Sequence, residues 1–366
     1  MQIDIIAGAR PNFMKIAPII EAISEAQKAG KNIGYRLIHT GQHYDKKMSG
    51  DFFEQLGIPE PDINLEAGGG TQAEQTAAIM VRYEKVLMEQ RPDLVLVVGD
   101  VTSTMACSIT AKKLNNIKVA HVEAGIRSGD LTMPEEINRM VTDAITDYFF
   151  TTSETANSNL REAGVKEENI YFVGNTMIDT LKKQIPRFKE PEIWKTLNLT
   201  EKEYIVMTLH RPANVDRGEG LEQLIKTIVS HSNGIPLIFP VHPRTAKNLQ
   251  SLGISFPNLH LVEPLGYLEF NYLVQRSKAV ITDSGGITEE TTVMGVPCMT
   301  LRDNTERPET CTIGTNELLG TNPDAIPPAL EILFAGQWKK GSIPDKWDGK
   351  AALRIVDILS KMTGDE

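Results

Sequence analysis

Short apolar runs recur from one end of the chain to the other, and each stops abruptly at a polar residue or a glycine. Leu94-Val95-Leu96-Val97-Val98 is the clearest, and Gly99 and Asp100 end it. A continuous run of this kind suits a strand buried on both faces, which is the situation in parallel sheets covered by helices. The runs alternate with amphipathic stretches at helical spacing, so the expected class is α/β with doubly wound sheets. Ile3 to Ala7, Tyr35 to His39, Lys118 to Val122, Tyr148 to Thr152 and Ile170 to Val173 supply the first half. Tyr204 to Leu209, Pro236 to Val241, Leu259 to Val262, Lys278 to Ile281 and Pro297 to Leu301 repeat the pattern. At 366 residues the chain exceeds one ordinary core. Two Rossmann-like domains facing across a cleft are expected, at 1–175 and 176–348. A closing helix in 349–366 should pack back on the first. The interdomain connection falls between about Gly174 and Glu203.

Composition narrows the partners. A net charge of −10 lacks the basic footprint of a nucleic-acid surface, although a few local Arg and Lys can hold a phosphorylated small molecule. Cys107, Cys298 and Cys311 form no CxxC pair, which fits a reducing compartment. No run resembles a signal peptide or a membrane span, so a cytoplasmic protein with no membrane partner is expected. HExxH and clustered Cys/His spacings are missing, and so is GxGxxG after the first strand. Neither a metal nor a nicotinamide cofactor is therefore expected. Ser284 lies in Ser-Gly-Gly, not in the GxSxG elbow of a serine hydrolase.

The polar residues that matter sit where apolar runs end. They are Arg10, Lys15, Asp100, Glu123, Glu135, His210, His242, Ser284, Glu290 and Arg307. Open α/β sheets bind ligands at that edge. Thr282-Asp283-Ser284-Gly285-Gly286 followed by Ile287 to Glu290 reads as a strand, a turn on two glycines and a helix start. Unpaired N–H groups of the first turn and close backbone approach make a phosphate site. A carboxylate beside it suits sugar hydroxyls. The plainer reading is a strand–turn–helix with Ser284 as its cap. Asp100, Glu123 and Glu135 could hold a hard cation or handle protons, and His210 can serve either sign of chemistry. A helix is expected from Met14 to Ala29, with Pro18 in its first turn. The glycine-rich stretch from Leu65 to Thr71 reads as a loop and Gln72 to Gln90 as a helix.

The ordered set of motifs resembles the non-hydrolysing UDP-N-acetylglucosamine 2-epimerases, which share the GT-B architecture. It runs from Gly8-Ala9-Arg10-Pro11 through Lys15, Thr40-Gly41-Gln42-His43 and Val98-Gly99-Asp100 to His121-Val122-Glu123-Ala124-Gly125-Ile126-Arg127. Pro134 to Arg139, Gly174-Asn175-Thr176, Thr208 to Arg211, Asp283 to Glu290 and Arg302 to Glu309 complete it. The resemblance implies that Arg10, Ser284, Gly285 and Gly286 hold a diphosphate, Glu290 the ribose, and Phe270 the uracil. Lys15, Asp100, Glu123, Glu135, His210 and Arg307 would line the sugar. His210 and Arg307 would also steady the departing diphosphate. It implies C2 epimerisation of UDP-N-acetylglucosamine through loss and return of UDP, without a cofactor, in a homodimer. Asp100, Glu123 and Glu135 would move the proton, with base and acid unassigned. Two departures stand out. Many relatives carry His-Arg-Arg-Glu-Asn where this chain has His210-Arg211-Pro212-Ala213-Asn214, and often Gln where Leu265 stands. In bacterial relatives Gln42, His43, Gln72 and His242 would belong to an activating second UDP-sugar site near the first departure. Open alternatives are an epimerase of a UDP-diacetamido uronic acid, a hydrolysing relative, a GT-B glycosyltransferase and a non-catalytic sensor.

Overall fold

In the computed structural model, strand β1 (Gln2–Ala7) pairs in parallel with β2 (Gly34–His39) on one side and β4 (Leu94–Val98) on the other. The remaining strands of this sheet are β3 (Ile63–Asn64), β5 (Lys118–Val122), β6 (Tyr148–Thr151) and β7 (Ile170–Phe172). Their order is β3-β2-β1-β4-β5-β6-β7, parallel throughout. A second sheet is built from β8 (Ile205–Thr208), β9 (Leu237–Pro240), β10 (Leu259–Val262), β11 (Ala279–Thr282), β12 (Cys298–Thr300) and β13 (Asn316–Leu318). Its order is β10-β9-β8-β11-β12-β13, again parallel. Both are doubly wound Rossmann-like sheets, as in GT-B proteins. In each, the winding reverses beside the first strand, between β1 and β4 and between β8 and β11. The structure describes residues 1–41, 56–114, 117–211, 214, 218–241, 246, 249 and 253–362, with backbone only at Arg10, Gly218 and Glu219.

Alternation along each strand sorts the apolar side chains onto two faces. Ile205, Met207, Leu237, Phe239, Ala279 and Ile281 join one buried cluster, and Val206, Ile238, Val280 and Cys298 join another. In the first sheet Val95, Val97 and Val119 pack with Ile79, Tyr83 and Ala106. The chain divides into two units. One comprises 1–182 and 345–366, the other 183–344. The last helix, Ala351–Met362, belongs to the first unit, where it packs on the helix Arg10–Lys28. Asp179 accepts the N–H groups of Ala351 and Ala352 at 3.1 and 2.7 Å, and the fully buried Trp347 donates to Thr152 O at 2.9 Å.

The first helix starts earlier than expected, at Arg10, so Pro18 lies inside it and not in its first turn. A proline there removes the N–H that would bond the carbonyl four residues back, which is Met14. That carbonyl accepts the hydroxyl of Thr180 at 2.6 Å instead.

Candidate active site

In the first unit, the turns after β1, β4 and β5 are tied together. Asn12, buried at the start of the first helix, accepts from Gly8 N and Ala9 N at 3.0 Å and donates to Val98 O at 3.0 Å. It thereby fixes the β1 turn to the tip of β4. Gly99 and Glu123 both have left-handed backbone, φ 69° and 70°. Glycine tolerates this, whereas a glutamate does so only where its surroundings over-determine it. The N–H groups of Glu123 and Ala124 both donate to Phe150 O, at 3.0 and 3.2 Å.

Charge partners then set the side chains. Lys15 Nζ donates to Glu123 Oε2 at 2.6 Å, with both side chains largely shielded from solvent. Arg139 grips the Asp100 Oδ2 atom through Nε and Nη2 at 3.0 and 2.6 Å. Its Nη1 donates to Glu136 at 2.6 Å, and Asn138 donates to Asp100 O at 2.8 Å. Glu136 also accepts the N–H groups of Ser128 and Gly129, both at 3.0 Å. Burial alone would raise the Glu136 carboxyl, but those N–H groups and Arg139 outweigh it and lower it. Glu135 is half-buried in the first turn of the helix Pro134–Ile145. It shares a helix face with Asn138 and Arg139, the residues that hold Asp100.

In the second unit, β8 and β11 end in register at Thr208 and Thr282, whose hydroxyls bond at 2.6 Å. This sets His210 beside Asp283. His210 Nδ1 is 2.7 Å from Asp283 Oδ1, and the imidazole is 62% exposed while Asp283 is fully buried. Asp283 also accepts Arg211 N at 2.9 Å and Asn214 Nδ2 at 3.0 Å. Burial would raise its carboxyl, yet His210, Asn214 and the Arg211 N–H hold it below the ordinary value. The helix Gly285–Met294 follows at once. Ser284 stands at its N-cap position, but the serine side chain makes no cap hydrogen bond. The simple capping reading therefore does not account for Ser284.

Farther along this helix the two glutamates part. Glu289 accepts from Arg307 Nε in a buried ion pair. Glu290 accepts the Tyr267 hydroxyl at 2.6 Å. Burial pushes its carboxyl up to about 7, with Tyr267 opposing and Glu289 adding to the rise. Phe270 is half-buried on the helix Tyr267–Arg276, within the cluster around Leu273 and Val280. Arg302, buried and paired with Glu306 at 2.8 and 2.9 Å, lies where a β-carbon on Gly285 would be 3.6 Å from its Nη1. It is a second buried cation, besides Arg307, in this part of the unit.

Of the residues expected from sequence, Lys15, Asp100, Glu123 and Glu135 share one edge of the first unit. His210, Ser284, Gly285 and Gly286 share one edge of the second, with Glu290 on the helix that follows. Gln42, His43, His242 and the Arg10 side chain lie outside the described residues. Gln72 opens the helix Gln72–Glu89 and accepts the Thr102 hydroxyl at 3.1 Å. Asn12, Arg139, Asp283 and Arg302 were not singled out from sequence. Arg139, Asp283 and Arg302 do lie within the quoted motifs, but no role was drawn for them there. Among the described residues no group of His, Cys, Asp and Glu could hold a metal ion, and no helix is long and apolar enough to cross a membrane.

Residues 25–360 match the family model described as UDP-N-acetylglucosamine 2-epimerase. A UDP-N-acetylglucosamine 2-epimerase of Methanocaldococcus jannaschii is 41% identical, over 98% of this chain and 99% of its own. The crystal structure of the M. jannaschii UDP-GlcNAc 2-epimerase with UDP-GlcNAc and UDP superposes with a TM-score of 0.85, over 99% of this chain and 100% of that one, at 41% identity. A UDP-2,3-diacetamido-2,3-dideoxy-D-glucuronate 2-epimerase of Pseudomonas aeruginosa is 38% identical, over 99% of this chain and 100% of its own.

Proposed function

The chain belongs to the UDP-N-acetylglucosamine 2-epimerase family, and from that premise we propose how its residues carry the reaction. The enzyme interconverts UDP-N-acetylglucosamine and UDP-N-acetylmannosamine by reversible, non-hydrolysing C2 epimerisation. Our reading is an elimination. A base takes the C2 proton as the C1–O bond breaks, releasing UDP and a 2-acetamidoglucal. A proton then returns to C2 from the opposite face, and UDP adds back at C1. Proton and bond are both restored, so no oxidant is needed.

We assign the diphosphate to Arg10, Ser284, Gly285 and Gly286, at a helix start whose N–H groups suit an anion. Glu290 takes the ribose and Phe270 the uracil. Lys15 lines the sugar, and Arg307 and His210 offset charge on the leaving diphosphate. Asp100, Glu123 and Glu135 handle the proton. The observation that carries this reading is the pair Asp100 and Glu123 at the tips of neighbouring strands, each held by its own cation, Arg139 and Lys15. The resemblance further leads us to propose a cytoplasmic homodimer, with neither nucleic acid nor membrane as partner.

The test is incubation with UDP-N-acetylglucosamine in D2O, followed by proton NMR. Elimination predicts deuterium at C2 in both epimers and no free sugar. Absence of both deuterium and a second epimer would overturn the mechanism. Free N-acetylmannosamine would indicate a hydrolysing enzyme. A parallel arm with the UDP-diacetamido uronic acid asks whether that donor, named for the P. aeruginosa relative, exchanges faster.

A further inference from the structure

We propose that His121 is a positioning residue for proton transfer, bonded between Gly99 and Asp143 so that it fixes the tips carrying Asp100 and Glu123. This rests on the assignment of those two carboxylates to the proton steps. His121 lies on β5 and is fully buried. Its Nδ1 is 2.7 Å from Asp143 Oδ1 and its Nε2 is 2.8 Å from Gly99 O. The Gly99 carbonyl has no proton to give, so Nε2 must donate. Asp143 already accepts Gly125 N at 3.1 Å and Arg127 Nη1 at 2.6 Å on its other oxygen. Burial would raise that carboxyl, but His121 and Arg127 outweigh it and lower it. His39 shows the opposite arrangement. Its Nδ1 accepts the Gly41 N–H at 2.7 Å, and burial pushes its imidazole down to about 4.

The consequence is geometric. Gly99 gives its N–H to Val122 O at 3.0 Å and its carbonyl accepts from His121 Nε2, so the residue before Asp100 is held on both sides by β5. On the other side, Asp143 holds Gly125, two residues beyond the left-handed Glu123. One side chain thus clamps two strand tips. The charged groups facing this arrangement are Asp143 and Arg127 around Nδ1, with Lys15 and Glu123 over Gly99.

Two substitutions separate positioning from packing. Gln places a donor near the Nε2 position and keeps the bond to Gly99, whereas Asn places one near Nδ1 and keeps only Asp143. H121N should lower kcat and C2 deuterium wash-in by roughly a hundredfold with KM changed by less than about twofold, the scale of misplaced catalytic groups. H121Q should recover to within about tenfold of the wild type by the same reasoning. Wild-type kcat in folded H121N, or equal losses in both variants, would overturn the proposal. The enzyme with 15N-labelled histidine gives a second test. The wild type should show a ring N–H that exchanges slowly with solvent and is lost in H121Q, as expected for the buried bond to Gly99 O. If H121Q removes no slowly exchanging ring N–H, the clamp is wrong.

Discussion

Glu290 joins a stability effect to the proposed ribose contact at a single carboxyl. Burial raises it to about 7, so the folded protein favours its neutral form. A raised folded-state value means that stability is fully present below the ordinary carboxyl range, near 4.5, and is lost as pH rises through about 7. Glu290→Gln imitates the neutral acid. It should therefore melt later than wild type at pH 8.5, by on the order of 1–3 kcal/mol, and about level with it at pH 4.5. UDP affinity should fall in the same variant, because an amide accepts the ribose hydroxyls less well. Thermal melts at the two pH values with a UDP titration check both, and a variant less stable at pH 8.5 would reject the sign. Glu290 was legible in the sequence because it follows Ser-Gly-Gly at helical spacing. Arg139 was not singled out, since its bond to Asp100 spans 39 positions. His210 and Asp283 were both in view, but their pairing spans 73. Charge partners across such separations are set by strand order, which apolar patterning does not encode.

The helix Arg10–Lys28 shows how an element absorbs a local conflict. Pro18 strips Met14 O of its helical donor, and Thr180 replaces it from another helix. Thr180→Val should leave that carbonyl unpaired and cost about 1–3 kcal/mol in urea unfolding of the intact protein. Adding Pro18→Ala should return much of the loss, because an alanine at that position brings back the N–H. A Thr180→Val cost that is unaltered by Pro18→Ala would show that the Met14 carbonyl is not the cause. Strands were easier to read than helix starts. Leu94–Val98 is buried along its whole length and its pattern says so. Arg10 opens a helix without a side-chain cap at Ala9, and Asn12 serves the β1 turn instead. With no serine, threonine or aspartate to mark it, that start was set too late.

For the whole molecule, two doubly wound sheets were legible because buried parallel strands announce themselves twice over. Reading the sites depended on where those strands end. The first unit gathers acids at its edge, with Asp100 paired to Arg139 and Glu123 to Lys15. The second presents an uncapped helix start beside His210 and Asp283. The account therefore divides labour. In the proposed assignment the second unit supplies the nucleotide grip apart from Arg10, and the first unit moves the proton. Asp100→Asn and Glu123→Gln remove charge from the proton step without touching the helix start at Ser284. The most direct measurement pairs UDP affinity, by calorimetry, with C2 deuterium wash-in for these two variants. The account predicts UDP affinity within about threefold of wild type and wash-in slowed by roughly 10²–10⁴-fold. Near-normal wash-in in both variants, or loss of UDP binding in step with it, would contradict the division.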